Sequence, residues 1–354
     1  MKLHRMFVPL ALLPLVASAQ TTIYSTDFSS GALRSTAGTT VNVNDWVIAS
    51  TKNVENANGA SSTNPSYASG AFGFGIVGTT SGVIQTQSRF TSSAVTLTNI
   101  NDYIQLRVQF TDTTNLLKGN GGTNALNSTI NVGLFDSSGV NPAAGLENSG
   151  LTNALNNANF SSGYAQNWEG YAARIGTNNG SSSINQIMTR PAQVTTASST
   201  QDLLFMGVGG GTYGNPGTAG VSVGSSAGAL PAGSLVNGTS YSLNYRITLA
   251  AADQYLISYT LFGSDGTTAL DMISGTTNGT NFISGLNFDG LAIGFRSAQS
   301  TTTPSASGTN IPVGITLNSL EISSFSAIPE PSNLAVLAGL AGLATIGLRR
   351  KRKV

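Results

Sequence analysis

The stretch Tyr241–Phe262, YSLNYRITLAAADQYLISYTLF, decides the fold class. Apolar and polar side chains alternate from Tyr241 to Leu249, and the second half, Tyr255–Phe262, repeats the alternation. Successive side chains of a strand point to opposite faces, so this period of two predicts one strand with a buried face in each half. Ala251-Ala252-Asp253 lies between the halves and predicts the turn of an antiparallel hairpin.

The same period of two recurs along the chain. Further strands are predicted over Tyr103–Phe110, Ile130–Leu134, Leu291–Phe295 and Ile315–Phe325. Clusters of Gly, Asn, Ser and Thr separate these strands, and no long amphipathic helix is predicted outside the C-terminal tail. Strands with one apolar face each bury those faces when two sheets pack together. We therefore predict an all-β fold, an antiparallel two-sheet sandwich or jelly roll, as one domain over residues 20–327.

The Gly-rich run between two of these strands lacks the pattern of either element. We interpret Gly207–Gly224 as a long surface loop, because it has neither the Lys nor the strand-to-helix context of a phosphate-binding loop. A β-solenoid is the alternative architecture, but it requires a repeat of about 20 residues, which the sequence lacks.

Composition excludes several classes of function. Between residues 20 and 327 the chain has nine basic and fourteen acidic residues, a net charge of −5. Such a mildly acidic body with scattered bases is not typical of a nucleic-acid-binding protein, so no nucleic-acid partner is expected. The chain has no Cys, and its one His is His4. A Ser-His-Asp triad, a Cys-His dyad and a zinc site built on Cys or His are therefore excluded from the body.

The first 19 residues have the pattern of a secretory signal peptide. Lys2 and Arg5 form a basic start, Met6–Val16 is apolar, and small residues stand at Ala17 and Ala19. This pattern predicts cleavage by signal peptidase after Ala19 and export of the mature chain.

Residues 328–354 are predicted to be a sorting tail. Pro329-Glu330-Pro331 disfavours continuation of the fold, and Asn333–Leu348 then runs for 16 residues without a charge. As a helix this run spans about 24 Å, somewhat less than a hydrocarbon core of about 30 Å. The basic end at 349–354 favours the cytoplasm, which orients the body outward. We predict a transmembrane helix over 333–348 that holds the protein only transiently.

These three ordered elements resemble the PEP-CTERM sorting domain of Gram-negative bacteria. The resemblance covers about the last 26 residues. It implies that an exosortase-like membrane enzyme recognises Pro329, Glu330 and Pro331 as a sorting motif. It also implies that the enzyme removes the tail and passes the protein to the cell envelope or an extracellular matrix, in organisms that make exopolysaccharide.

The body in turn resembles the lectin-like sandwiches of the concanavalin A and laminin-G type. The resemblance rests on Asp27-Phe28 and Asp45-Trp46-Val47 near the start of the body. It also rests on Phe288–Arg296 and the closing strand Leu317–Ile322 near its end.

Aromatic residues are the candidates for binding a sugar without catalysis. The flat face of an aromatic ring matches the apolar face of a pyranose, so Trp46, Tyr164, Trp168 and Tyr171 are candidate stacking residues. The alternative is that these rings belong to the core or to an interface. Asn156-Asn157 and Asn167 are candidate amide donors and acceptors.

Carboxylates are the other candidates for chemistry. Glu147 and Glu169 are the acids that a glycosidase or lyase could pair, with Trp168 as a platform, although the clustered Glu-x-Asp-x-x-Glu strand of sandwich-fold glycosidases is absent. We assign no catalytic residue. Loop oxygens in Asp136–Gly139 and Asp265–Thr268 are candidate calcium ligands, but both stretches are also typical of Asx turns.

The sequence therefore predicts an exported surface protein with no catalysis of its own and no cofactor. Three roles are open, in decreasing order of preference. The first is a structural or adhesive role, the second is a lectin-like module that binds exopolysaccharide, and the third is a carboxylate-dependent glycosidase or lyase.

Overall fold

The computed structural model describes the β-sandwich and leaves the chain ends and several connections undescribed. The described residues are 20–29, 42–50, 67–68, 71–76, 82–112, 129–141, 167–176, 185–192, 203–204, 222–225, 235–236, 238–279, 281–297 and 313–326. The signal peptide, the sorting tail, Tyr164 and Glu147 lie outside them. No helix long and apolar enough to cross a membrane occurs in the described part of the chain.

The described residues form strands, all paired antiparallel. In chain order they are β1 Gln20–Thr26, β2 Trp46–Ser50, β3 Tyr67–Ala68, β4 Ala71–Ile76, β5 Gly82–Arg89, β6 Val95–Thr96, β7 Tyr103–Asp112, β8 Thr129–Asp136, β9 Glu169–Gly176, β10 Gln186–Arg190, β11 Ser222–Ser225, β12 Ser240–Ala251, β13 Gln254–Phe262, β14 Ala269–Thr276, β15 Asn287–Phe288, β16 Gly290–Ser297 and β17 Val313–Phe325.

Two large sheets make the sandwich. The eight-stranded sheet has the order β14-β13-β12-β7-β17-β4-β3, and β1 pairs with β17 beside β4. The seven-stranded sheet has the order β11-β10-β9-β8-β16-β5-β2, and β15 and β6 form a small separate pair. The all-β, antiparallel prediction is confirmed, and so is the hairpin of Tyr241–Phe262, since Tyr245 pairs with Tyr259 in the register of β12 and β13.

The core lies between the two sheets. It is built from the alternate apolar residues that the period of two predicted, and aromatic rings cross the interface. Tyr245 of the eight-stranded sheet donates its hydroxyl to the carbonyl of Tyr171 in the seven-stranded sheet at 2.9 Å. The rings of Tyr171 and Tyr255 meet edge to face at 5.7 Å. The two sheets therefore face each other directly.

The seven-stranded sheet is also covered on its outer face. A second apolar cluster lies there, formed by Phe135, Trp168, Ala172, Met188, Leu203, Leu204 and Ala292. The Asn131 side chain donates to the Leu204 carbonyl at 3.0 Å, and the Leu203 amide donates to the Gln85 side chain at 3.2 Å. Strand β8 is consequently buried on both faces rather than on one.

One predicted loop is corrected in part. Ser222–Ser225, which overlaps the end of the Gly207–Gly224 run, is strand β11 and pairs with β10. Small residues hide the period of two, so the sequence pattern predicts a loop where the chain forms a short strand. At the edge of a sheet a short strand is held by backbone hydrogen bonds and does not need large apolar side chains.

Candidate functional site

The outer face of the eight-stranded sheet carries polar side chains in cross-strand rows. In one row Asn244 of β12 pairs with Arg107 of β7, and Arg107 pairs with Glu321 of β17. Neighbouring strands are about 4.8 Å apart, so the two ends of this central row are separated by roughly 10 Å. An amide, a guanidinium and a carboxylate are thus aligned across three strands.

The three side chains of the central row have no hydrogen-bonding partner among the described residues. Arg107, Asn244 and Glu321 make no side-chain hydrogen bond or ion pair within the described residues. Their neighbours on the same face are engaged: Ser319 donates to Gln109 at 3.2 Å, and the guanidinium of Arg246 binds the Gln105 side chain. Side chains beside the central row are therefore hydrogen-bonded to one another, whereas the side chains of the row itself are available to a ligand.

A groove of about 460 Å³ runs over the central row. Its lining includes all three residues, together with the half-buried ring of Phe262 and the polar side chains of Ser242 and Ser319. The Oδ1 atom of Asn244 is shielded from solvent and accepts no hydrogen bond within the part of the chain that the structure describes. A shielded polar atom of this kind is usually satisfied by a water or a ligand group.

A second groove of about 680 Å³ adjoins the first and shares Ser319 and Glu321 with it. It lies where one edge of β17 changes partner, from β4 at residues 313–317 to β1 at residues 320–325. The pairing of β17 with β7 is irregular between Leu317 and Ser319, which leaves Asn318 as an extra residue at this junction. Asp27 lines the second groove, and hydrogen bonds from Ser29 lower the pKa of its carboxyl.

Three of the four predicted sugar-stacking residues are buried in the fold, and the fourth, Tyr164, lies outside the described residues. Trp46, Trp168 and Tyr171 are each at most 3% exposed, so none of them offers a ring face to a ligand, and this expectation is wrong for these three. Trp46 packs edge-on against Phe72 at 6.0 Å and at 5.8 Å from Phe28. Although Trp46 lines the second groove, it contributes little accessible surface there.

Trp168 belongs to the cluster that covers the seven-stranded sheet. Its indole nitrogen donates to the Val140 carbonyl at 3.0 Å, and its ring packs on the bare backbone of Gly290. A Cβ at Gly290 would lie 2.7 Å from the ring. The glycine in the Phe288–Arg296 motif therefore makes room for a tryptophan.

Tyr171 holds together a loop and a strand at the sheet interface. Its hydroxyl donates to the Asn281 carbonyl at 3.0 Å and accepts from the Ile283 amide at 2.9 Å. Burial strongly raises the pKa of this phenol. A buried phenol with both a donor and an acceptor partner is a structural group.

The carboxylates take structural positions too. Glu169 of β9 stands opposite Asp136 of β8, and burial together with the Asp136 charge raises the pKa of Glu169. Asp136 accepts from the amides of Ser138 and Asn287. It is therefore fixed by backbone donors rather than poised over a groove, and no pairing of Glu169 with Glu147 can be described.

The two candidate calcium loops are Asx turns. Asp136 Oδ1 accepts from the Ser138 amide at 2.8 Å, and Asp265 Oδ1 accepts from the amides of Thr267 and Thr268. Hydrogen bonds from Thr268 and Thr267 lower the pKa of Asp265 to about 2. No group of three or more His, Cys, Asp or Glu in the described residues is placed to hold a metal ion.

Sequence reasoning did not select the central row. Arg107 appeared only as a polar residue of a predicted strand, and Glu321 only within the closing strand. The signal that selects them is the register, which places residue 107 beside residues 244 and 321. Register between strands so distant in sequence cannot be read from alternation, which fixes only the face of each side chain.

Comparison with known proteins gives distant matches in structure only. No family model matches the sequence, and no curated protein matches it. A protein of unknown function from Shewanella oneidensis MR-1 is similar at 13% identity, with a TM-score of 0.35, covering 92% of this chain and 97% of its own. The metal-free lectin I-B4 from Griffonia simplicifolia is 12% identical, with a TM-score of 0.36, over 78% of this chain and 99% of its own. The PL-14 alginate lyase from Aplysia kurodai is 10% identical, with a TM-score of 0.36, over 87% of this chain and 100% of its own. Likeness at these TM-scores assigns no function to this chain.

Proposed function

We propose that this chain is an exported, non-catalytic surface protein that adheres to exopolysaccharide through the outer face of its eight-stranded sheet. The observation that carries the proposal is the open central row of Asn244, Arg107 and Glu321 under its groove. This favours the lectin-like role over a purely structural one, because three neighbouring side chains offer a ligand hydrogen-bonding groups that the described part of the fold leaves unused.

The chemistry of the central row suits the hydroxyl groups of a sugar. Each sugar hydroxyl donates one hydrogen bond and accepts others, so it requires both kinds of partner. Arg107 donates, Glu321 accepts, and the Asn244 amide does both. Phe262, half-buried at the side of the groove, supplies an apolar surface for a ring face.

Two features support the absence of catalysis. Hydrolysis of a glycosidic bond generally uses two carboxyl groups, one of them a general acid with a raised pKa. The groove over the central row is lined by one carboxyl, that of Glu321, and the adjoining groove is lined by two, those of Glu321 and Asp27. Asp27, in the adjoining groove, has a lowered pKa, which suits a hydrogen-bonded anion and not a general acid.

Export and sorting complete the proposal. Signal peptidase recognises Ala17 and Ala19 and cleaves after Ala19, and residues 333–348 hold the protein transiently in the inner membrane. An exosortase-like enzyme then recognises Pro329, Glu330 and Pro331, and the protein passes to the envelope or extracellular matrix. This part is supported by the order of elements in the sequence and by the resemblance stated above.

Binding is tested with the mature protein and the producing organism's own polysaccharide, in a pull-down followed by titration calorimetry. We expect saturable binding that Asn244→Ala and Arg107→Ala each weaken about tenfold, the effect of losing one or two hydrogen bonds. Ser274→Ala is the matched control, since Ser274 lies on the same sheet but does not line the groove. If binding is absent, or if all three variants bind like the wild type, the proposal is wrong.

Catalysis and sorting are tested separately. Release of reducing ends from the polysaccharide by the wild type, abolished by Glu321→Gln or Glu169→Gln, would establish an enzyme instead. Mass spectrometry of the extracellular protein should find no residues after the sorting motif. If the residues after Pro331 persist, the tail is a permanent anchor.

A further inference from the structure

Both ends of the sandwich chain leave the fold at the same place. Gln20, the first residue of β1, pairs with Phe325, the last residue of β17. The row continues across the sheet through Tyr103, Thr248 and Leu256. Beyond it, in the described part of the chain, lie the last residues of the β12–β13 hairpin with its turn, and the residues that precede Tyr103. We call this the terminal row.

The terminal row is firmly held. The rings of Tyr103 and Phe325 are stacked at 5.0 Å with 6° between their planes, and the guanidinium of Arg246 lies 4.3 Å over the Tyr103 ring. The Gln20 side chain donates to Ser323 at 2.6 Å. The end of β17 is thus fixed, and the tail starts from a rigid point.

The distance from that point to the apolar tail is short. Pro329 follows Phe325 by four residues and Asn333 follows it by eight. A chain of eight residues spans at most about 29 Å when fully extended. Strand β12 has 12 residues and is about 40 Å long. The opposite end of the sandwich therefore cannot reach a bilayer that holds residues 333–348, whereas the end with the terminal row can.

A rigid loop at this end exposes an apolar side chain. We call Thr98–Asp102 the display loop: Asp102 accepts from the amides of Thr98 and Asn99 at 2.9 and 2.7 Å, and Asn101 has a left-handed φ of 75°. The Asn101 amide also donates to the Leu249 carbonyl, which ties the loop to β12. This geometry leaves Ile100 at 57% exposed.

The rest of this end fits the surface of a bilayer. Leu256 in the terminal row is 42% exposed, and the turn at Ala252 and Asp253 contributes the one exposed acid of the hairpin. Exposed apolar side chains in a surface with a single exposed acid on its hairpin suit the boundary between headgroups and acyl chains. Because the connection to the tail is short, the bilayer that holds the tail lies within reach of this end of the sandwich, and we take lipid as its binding partner.

We propose that, while the tail anchors the protein, the sandwich stands on the membrane with the terminal row downward and the display loop's Ile100 at the lipid boundary. This inference rests on the anchoring step of the proposed function. Glu321 precedes Phe325 by four residues, so the central row lies roughly 14 Å above the terminal row and faces the polymer outside.

The chain's lack of cysteine allows a direct test on residues 20–354, the form that remains after removal of the signal peptide. Ile100→Cys is compared with Val236→Cys, because Val236 is 56% exposed and lies next to the opposite end of β12. Each variant carries one fluorophore and is reconstituted in vesicles of phosphatidylethanolamine and phosphatidylglycerol that contain nitroxide-labelled lipid. We expect loss of fluorescence at position 100 and full retention at position 236, with unchanged urea midpoints for both variants.

Each other outcome overturns a defined part of the proposal. Vesicle flotation without selective quenching at position 100 overturns the orientation and leaves the anchoring intact. Failure to float overturns the anchoring step and this inference with it. Protection of position 100 in cell membranes but not in pure lipid vesicles overturns the lipid assignment in favour of a protein partner.

Discussion

Tyr245 and Tyr259 form a matched pair for testing how the core is held together. Both are fully buried in the eight-stranded sheet, and their rings meet edge to face at 6.3 Å. Burial raises the pKa of both phenols well above 10, so both remain protonated at neutral pH. The Tyr245 hydroxyl donates to the Tyr171 carbonyl at 2.9 Å, whereas the Tyr259 hydroxyl has no partner among the described residues.

The two substitutions to Phe should have opposite effects on the free energy of unfolding. Tyr245→Phe removes a buried hydrogen bond and should cost about 1 kcal/mol. Burial of the unpartnered Tyr259 hydroxyl costs about 1–3 kcal/mol, and Tyr259→Phe removes this cost. The small cavity left by the missing oxygen lowers the gain in stability by roughly 0.5 kcal/mol. We expect Tyr259→Phe to stabilise the protein by about 1 kcal/mol and the two variants to differ by about 2 kcal/mol.

Equilibrium urea denaturation of the mature protein, followed by circular dichroism, measures this difference. With an m value of about 3 kcal/mol/M, a difference of about 2 kcal/mol separates the two midpoints by roughly 0.7 M. The m values must agree, so that midpoints report stability alone. If Tyr259→Phe lowers the midpoint as much as Tyr245→Phe does, the Tyr259 hydroxyl has a partner and the reasoning is refuted.

Three further predictions concern the cluster on the seven-stranded sheet and the acids beside it. Asp289 accepts hydrogen bonds from the Ser137 amide and hydroxyl, both at 2.7 Å, and forms an ion pair with Arg89. Asp289→Asn should therefore lower the free energy of unfolding, measured by urea denaturation, by about 3 kcal/mol. Gly290→Ala should cost about 1–3 kcal/mol and shift tryptophan fluorescence, because the new methyl group collides with Trp168; an unchanged spectrum and midpoint would contradict that packing. The pKa of Glu169 is higher in the folded protein than in the unfolded chain, so ionisation of this carboxyl destabilises the fold. The contribution of Glu169 to the free energy of unfolding therefore falls as the pH rises above about 4. Glu169→Gln should therefore raise the urea midpoint at pH 7, and this gain should vanish below about pH 4.

The hairpin of Tyr241–Phe262 could be predicted because everything that specifies it is local. Alternation sets the faces of both strands, and the turn at Ala251–Asp253 brings them into register. Trp168 could not be interpreted in the same way. Its burial depends on the bare backbone of Gly290, which comes 122 residues later, and on the cluster with Leu203 and Leu204. An aromatic residue next to polar ones has the same local pattern in a core as in a binding site.

The site was missed for the complementary reason. The outer face of a sandwich sheet is expected to be polar, so a polar residue at an outward position carries no signal of its own. What distinguishes the central row is that its side chains lie side by side on three strands and have no partner in the part of the chain that the structure describes. That is a property of the register of β12, β7 and β17, and not of any one strand.

Arg107 and Glu321 carry opposite charges on neighbouring strands, and this arrangement bears on whether the central row binds a ligand. Only 9% of the chain is charged, yet this row sets opposite charges on neighbouring strands without an ion pair between them. An exposed cross-strand ion pair contributes about 0.2–1 kcal/mol to the free energy of unfolding. The absence of this ion pair therefore lowers the stability of the fold only slightly. A ligand that binds both groups has correspondingly little to displace. If the pair is purely structural, Arg107→Ala and Glu321→Ala should each lower stability and leave polysaccharide binding unchanged. If the central row is the binding site, both substitutions should weaken binding while the urea midpoint stays within the range of a surface change.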